Sequence, residues 1–116
     1  MIKGSGIDIV EIKRLKQAIE RWGDVFLERV FTKKELAYSK NKRFPFQHLA
    51  ARFAAKEAIF KAFGTNPKLN FKDIEIRNDR YGRPYCLIKN RRRSIIVSIS
   101  HTHEYAVASA IIPKKA

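Results

Sequence analysis

Apolar and polar positions alternate at the start of the chain. Residues 2–10 read as a strand with Ile7 and Ile9 on one face, Asp8 on the other, and Gly4 and Gly6 keeping its beginning slim. The period then lengthens. Ile12, Leu15, Ile19 and Trp22 recur at helical spacing over residues 11–22, with Lys13, Arg14, Lys16, Gln17 and Arg21 on the other positions. Gly23 ends that helix, and Asp24 can cap a short one through DVFLERVF. Thr32-Lys33-Lys34-Glu35 matches a capping box, which starts a further helix near Lys33. Asn41 to Arg43 is a basic loop. Pro45 suits the first turn of a long helix running to about Phe63, with Gly64 as its cap and Pro67 barring continuation.

The second half changes texture. Strands are expected over Phe71–Arg77, Pro84–Ile88, Ser94–Ser100 and Glu104–Ile112. Asn78 to Gly82 forms a turn, Asn90-Arg91-Arg92-Arg93 a hairpin loop, His101-Thr102-His103 the last connection, and Lys114 to Ala116 a frayed tail. Helices early and strands late predict an α+β fold, an antiparallel sheet packed on one long central helix with short N-terminal helices. Residues 1–116 are expected to form one domain, without internal repeats.

At about 100° per residue, Ala51, Ala54, Ala55, Ala58 and Ala62 share one broad face of the long helix. Phe46, Leu49, Phe53 and Phe60 make a second, bulky face. Glu57 and Lys61 lie on the seam between them, and Arg52 and Lys56 on the far side. A carboxylate among apolar groups is costly without a partner. Glu57 could have Lys61 in a simple helix pair worth about 0.2–0.5 kcal/mol, another cation, or a metal ion. A metal would need a second oxygen ligand, for which Asp8 is the candidate, since aspartate is disfavoured in strands. Asp8 could equally be an exposed strand carboxylate or a helix cap. Two carboxylates with nearby cations suit Mg²⁺ and a phosphorylated ligand. His101, at a strand end, could belong to a site or only to a polar turn.

Charge sharpens this picture. The chain has 25 Lys and Arg against 11 Asp and Glu, a formal charge of +14 over 116 residues. Such a surface attracts polyanions: nucleic acid, acidic proteins, anionic lipid or phosphorylated small molecules. A hydrophobic content of 45% fits a folded domain. The sequence contains no apolar run of membrane-spanning length, and MIKGSGIDIV has neither the apolar core nor the cleavage site of a signal peptide. The one cysteine, Cys86, cannot form an internal disulfide and reads as a buried, inert thiol. A cytoplasmic protein is expected. No Walker loop, dinucleotide fingerprint or zinc-ligand spacing is present.

Four segments together carry a family resemblance: GIDIVEIKR at Gly6–Arg14, RFAAKEAIFKAFGT at Arg52–Thr65, DIEIRNDRYGRPY at Asp73–Tyr85 and SISHTHEYAVA at Ser98–Ala108. In this order, over essentially the whole chain, they resemble the holo-[acyl-carrier-protein] synthases, the small type of 4′-phosphopantetheinyl transferase. The resemblance implies transfer of phosphopantetheine from coenzyme A to a serine hydroxyl of an acidic apo-acyl-carrier protein, releasing adenosine 3′,5′-bisphosphate, in fatty acid biosynthesis. It implies Mg²⁺ on Asp8 and Glu57, Lys61 beside the coenzyme A phosphates, and catalysis by Asp8, Glu57 and Lys61. Coenzyme-binding roles fall on Arg43, Arg52, Lys61, Gly64, Gly82, Pro84, His101 and Thr102, with Lys42 in the same basic loop. It further implies a homotrimer with active sites between subunits. Lys13, Arg14 and Arg21 form a plausible docking strip for the carrier. The chain departs from the family after Gly64-Thr65, where Asn66-Pro67 replaces a further glycine, and at Phe44-Pro45 after Arg43.

In the transfer chemistry, charge builds on the bridging oxygen and the leaving phosphate, where a metal and Lys61 would act. The serine proton would go to Glu57 or to a metal-bound water held by Asp8. A rival reading as an RNA-binding domain accounts for the charge but not for Asp8 and Glu57, which would repel phosphate unless a metal stood between; neither nucleic acid nor membrane is expected as a partner. Another rival is an inactive homologue that only binds carrier; Asp8, Glu57 and Lys61 argue against it.

Overall fold

The computed structural model describes residues 1–64 and 68–114. Its elements follow as β1 (Ile2–Glu11), α1 (Ile12–Trp22), α2 (Asp24–Val30), α3 (Lys33–Lys40), α4 (Pro45–Phe63), a 3₁₀ turn (Phe71–Asp73), β2 (Ile74–Asn78), β3 (Pro84–Ile88), β4 (Arg91–Arg92), β5 (Ile96–His101) and β6 (Tyr105–Pro113). The start of α3 and both ends of α4 agree with the capping signals, whereas Asp24 is the first residue of α2, with Gly23 at the cap position and no side-chain cap bond. Thr32 Oγ1 accepts from the Glu35 N–H while Glu35 Oε1 accepts from the Thr32 N–H. Pro45 opens α4, and Gly64, at φ 81°, closes it with its N–H on the Lys61 carbonyl. The stop expected at Pro67 and the tail at residues 115–116 lie outside the described residues.

The strands form two antiparallel three-stranded sheets, β1-β6-β5 and β2-β3-β4. Two sheets thus form where the sequence reading expected one, and three further details differ from it. The segment from Phe71 begins with a 3₁₀ turn, because Asn70 and Asp73 form their own capping box and delay the strand to Ile74. The basic hairpin turns at Lys89-Asn90, both at positive φ, which lets Arg91 and Arg92 pair back onto Ile88 and Leu87 as β4. Trp22 is 56% exposed despite its helical spacing. It is the last residue of α1, and Arg21 stacks over its ring.

The first sheet lies on α4 through small residues. Ala106, Ala108 and Ala110 of β6 are buried, as are Ala51, Ala54, Ala55, Ala58 and Ala62 of α4. The β1 backbone approaches closer still: a Cβ built on Gly4 would lie 2.0 Å from the Ala62 carbonyl oxygen, and one on Gly6 would lie 2.1 Å from that of Ala58. Glycine is required there because nothing larger fits. The inward face of β1 is therefore Gly4, Gly6, Asp8 and Val10, while Ile7 and Ile9 point outward and are 64% and 62% exposed. Among the described residues no helix is long and apolar enough to cross a membrane.

Candidate active site

Asp8 sits on β1 one pleat repeat beyond Gly6, so the close strand–helix contact carries its carboxylate onto the flank of α4. Lys61 Nζ lies 3.1 Å from Asp8 Oδ1 and also donates to the Ile7 carbonyl at 3.1 Å. Glu57, one helical turn before Lys61, is half-buried. Burial pushes its carboxyl above the ordinary value of 4.5, the Asp8 carboxylate pushes the same way, and Lys61 opposes both. Asp8, Glu57 and Arg14 line one cavity of about 370 Å³, with Leu15, Phe26 and Phe53 as apolar wall. On the other side, Glu57 edges a second cavity of about 740 Å³ floored by Phe60, Leu69 and Phe71.

Two carboxylates beside open volume, Glu57 disfavoured in its charged form by burial and by Asp8, fit a hard divalent cation bound through oxygen. No cluster of three or more histidine, cysteine or acidic side chains suited to a metal occurs among the described residues. That donor set fits Mg²⁺, which uses one or two carboxylates and takes its remaining ligands from water and phosphate. It does not fit a closed zinc site.

The cations expected for coenzyme binding gather along the N-terminal half of α4. Arg52 is buried, stacks 4.1 Å from the Tyr38 ring centroid, and donates to Asn78 Oδ1 at 2.7 Å. Its Nε is buried without a hydrogen-bond partner among the described residues. Lys42 lies over the same Tyr38 ring at 4.5 Å. His101, level with Ala106 in the register, is exposed and stands edge-on to His48, 5.9 Å between ring centroids. Arg43 stacks on Phe44, whose ring meets His103, and His103 Nδ1 lies 3.1 Å from Gln47 Nε2. Gly82 joins through Asn78, whose amide donates to the Gly82 carbonyl at 3.0 Å. Pro84 pairs with Asn78 at the start of β3. Thr102 shapes the β5–β6 turn, its Oγ1 accepting from the Glu104 and Tyr105 N–H groups. Gly64 stands apart at the far end of α4, twelve residues from Arg52, or roughly 18 Å of helix. Lys13 and Arg21 are exposed on α1, and only Arg14 of that strip reaches the carboxylate cavity.

Two features escaped the sequence reading. His48 sits inside the basic group, touching both Tyr38 and His101. Burial, then Arg52, His101 and Lys42, hold its pKa below the ordinary 6.5. The second is Lys56, placed by helical angle on a far side that proves fully buried, where it pairs with Glu35 at 2.6 Å. Burial lowers the Lys56 pKa, and Glu35 opposes that. Cys86 is buried as expected, its thiol pushed up to about 11 by desolvation.

Two carboxylates on a strand–helix seam beside a basic pocket suit the handling of a phosphorylated ligand. Residues 4–110 match the 4′-phosphopantetheinyl transferase superfamily. A holo-[acyl-carrier-protein] synthase of Thermodesulfovibrio yellowstonii is 46% identical over 112 residues, covering 97% of this chain and 99% of that protein. The crystal structure of the Neisseria meningitidis holo-[acyl-carrier-protein] synthase superposes with a TM-score of 0.88 at 31% identity, over 98% of this chain and all of that one. The Bacillus anthracis enzyme, solved in complex with coenzyme A (3′,5′-ADP), superposes with a TM-score of 0.80 at 39% identity, over 96% of each chain. The chain belongs to the holo-[acyl-carrier-protein] synthase family of 4′-phosphopantetheinyl transferases.

Proposed function

We propose that this enzyme transfers the 4′-phosphopantetheine of coenzyme A to a serine hydroxyl of an acidic apo-acyl-carrier protein, with Mg²⁺, in the service of fatty acid biosynthesis. The serine Oγ forms a bond to the β-phosphorus, the bond from that phosphorus to the bridging oxygen breaks, and adenosine 3′,5′-bisphosphate leaves. The observation that carries this reading is the Asp8–Glu57–Lys61 constellation, two carboxylates and one ammonium on a single seam. Asp8 and Glu57 would hold Mg²⁺, which when bound neutralises charge on the pyrophosphate oxygens. Lys61 supplies a proton-bearing cation for the leaving phosphate. Glu57, or a water held by Asp8, would take the serine proton. The buried, unpaired Arg52 Nε and the neighbouring Lys42, Arg43, His48 and His101 supply donors for the remaining phosphates of the coenzyme.

Arg14, on the rim of the Glu57 cavity, and Lys13 and Arg21 further along α1 offer an acidic carrier a charged path toward the site. A homotrimer is supported by the outer face of the first sheet. Ile7, Ile9 and Ile96 are each more than half exposed there, an apolar surface that a neighbouring copy would cover. The distance along α4 between Arg52 and Gly64 agrees with a coenzyme site completed by a second subunit.

The test is incubation of purified apo carrier with coenzyme A and Mg²⁺, followed by intact mass. Gain of one phosphopantetheine supports the reading. An unmodified carrier, under conditions where an established synthase modifies it fully, would overturn it.

A further inference from the structure

Lys56 immediately precedes Glu57, and the two side chains leave α4 about 100° apart. Lys56 is fully buried, and its Nζ donates to three acceptors: Glu35 Oε1 at 2.6 Å, the Val30 carbonyl at 2.6 Å and the Phe71 carbonyl at 3.1 Å. All three protons of the ammonium are therefore used. Glu35 is equally committed. Its Oε1 also takes the Thr32 N–H, and its Oε2 takes the Ile76 N–H at 2.7 Å. The pair thus ties together the end of α2, the start of α3, α4, the 3₁₀ turn and β2. Replacing such a pair by apolar groups is often neutral or stabilising in proteins, so stability alone is a weak reason for its presence.

Its position suggests a reason. The face of α4 bearing the alanines meets a glycine-alanine surface, whose close backbone contact sets the spacing of the helix but offers few interlocking side chains to fix its rotation. Lys56 fixes it, from the opposite side, by three directed bonds. The same ammonium holds the Phe71 carbonyl, and the Phe71 ring packs on Phe53 at 5.6 Å and Phe60 at 5.1 Å. Those rings wall the two cavities on either side of Glu57.

We infer that Lys56 and Glu35 are positioning residues, setting the azimuth of Glu57 relative to Asp8 and anchoring the aromatic wall beside it. This inference rests on the reading of Asp8 and Glu57 as a shared Mg²⁺ site. Neither Lys56 nor Glu35 touches the reacting atoms. Their loss should act on the metal and on kcat, and leave the affinity of the coenzyme's outer phosphates, held by the Arg52 group, nearly unchanged.

The experiment compares Lys56→Met and Glu35→Gln with the unaltered enzyme by calorimetric titration of Mg²⁺ in the presence of adenosine 3′,5′-bisphosphate, and by kcat and KM. All measurements are made at a temperature where circular dichroism shows each protein folded. Partners that orient metal ligands typically contribute about 10–100-fold in affinity or activity. The expected result is a Mg²⁺ Kd raised about 10-fold or more, kcat lowered in proportion, and the coenzyme A KM within about 2-fold. Glu35→Gln keeps an oxygen for one backbone donor, so it should fold where Lys56→Met does not, and should show the smaller effect. Variants with a lowered melting temperature but unaltered Mg²⁺ affinity and kcat would overturn the inference and leave the pair as core cement. An unaltered enzyme that binds no Mg²⁺ would remove the metal reading, and this inference with it.

Discussion

Lys61 Nζ lies 3.1 Å from Asp8 Oδ1, a contact between residues 53 positions apart, although Glu57 is only one helical turn away on the same helix. The helix pair that spacing allows, Glu57 with Lys61, is replaced among the described residues by a pair between helix and strand. The reason is the close seat of β1 on α4, which puts Asp8 within reach and leaves Glu57 without a salt bridge. A carboxylate disfavoured by burial and by Asp8 is then held where a cation would relieve it.

That arrangement predicts opposite effects on activity and stability. Asp8→Ala and Glu57→Gln should each abolish carrier modification, and chelation of Mg²⁺ should do the same. Because the folded Glu57 pKa is raised, its ionisation opposes folding as pH rises through that value. At neutral pH the metal-free Glu57→Gln protein should therefore melt no lower than the unaltered one. Near-normal turnover by either variant at physiological Mg²⁺ would remove the metal assignment.

Lys61 separates a structural role from a catalytic one. Its side chain is 54% exposed, and an exposed ion pair contributes about 0–1 kcal/mol. A cation aimed at charge developing on the leaving phosphate contributes about 2.7–4 kcal/mol, roughly 10²–10³ in kcat. Lys61→Met should lower kcat by that factor with little change in melting temperature. Retained turnover with lost stability would make Lys61 only the partner of Asp8.

The basic face of α1 should respond to salt. The Debye length is about 8 Å at 0.15 M ionic strength, so exposed pairs with an acidic carrier are screened readily. Charge reversal at Arg14 should raise the carrier KM more than the coenzyme A KM, and steady-state kinetics with each substrate varied in turn would show it. The opposite ranking would count against docking on this face.

His48 offers a pH signature. Its folded pKa is lowered by burial, then by Arg52, His101 and Lys42, so the neutral ring is the form the fold prefers. The associated stability is complete above the ordinary value of 6.5 and is lost as pH falls through the lowered one. His48→Gln should flatten that acid limb in thermal melts. A phosphate entering the same group would favour the protonated ring. Adenosine 3′,5′-bisphosphate should therefore bind with proton uptake, measured by calorimetry in buffers of differing ionisation enthalpy, and His48→Gln should remove the uptake.

Gly6 tests the seam. An added Cβ would stand 2.1 Å from the Ala58 carbonyl oxygen and 2.7 Å from the Ala62 nitrogen, both backbone atoms with little freedom to yield. Overpacking of this kind costs about 1–3 kcal/mol or more. Gly6→Ala should lower thermal stability by at least that amount, and should weaken Mg²⁺ binding by moving Asp8 off α4.

The sequence by itself carried the helices, because their ends are written in local chemistry: the Thr32–Glu35 capping box, Pro45 at the head of α4 and Gly64 at its foot. It also singled out Asp8 and Glu57, since a carboxylate is conspicuous in a strand or in an apolar helix, but only the family resemblance favoured a site there, with Lys61, over an exposed carboxylate and a simple helix pair. What it could not carry depends on which surfaces meet. The outward turn of Ile7 and Ile9 follows from Gly4 and Gly6 admitting the helix on the other face, a steric choice made by α4 and not by hydrophobicity. Helical angle puts Lys56 only on the far side of α4; its burial comes with α3, which brings Glu35 from 21 residues earlier in the chain. His48 acquires its character from Arg52, His101 and Lys42, drawn from two helices' surroundings and a strand end. Caps and periodicity act over three or four residues; burial, ion pairing and the gathering of like charges act through space, and only the folded chain sets those distances.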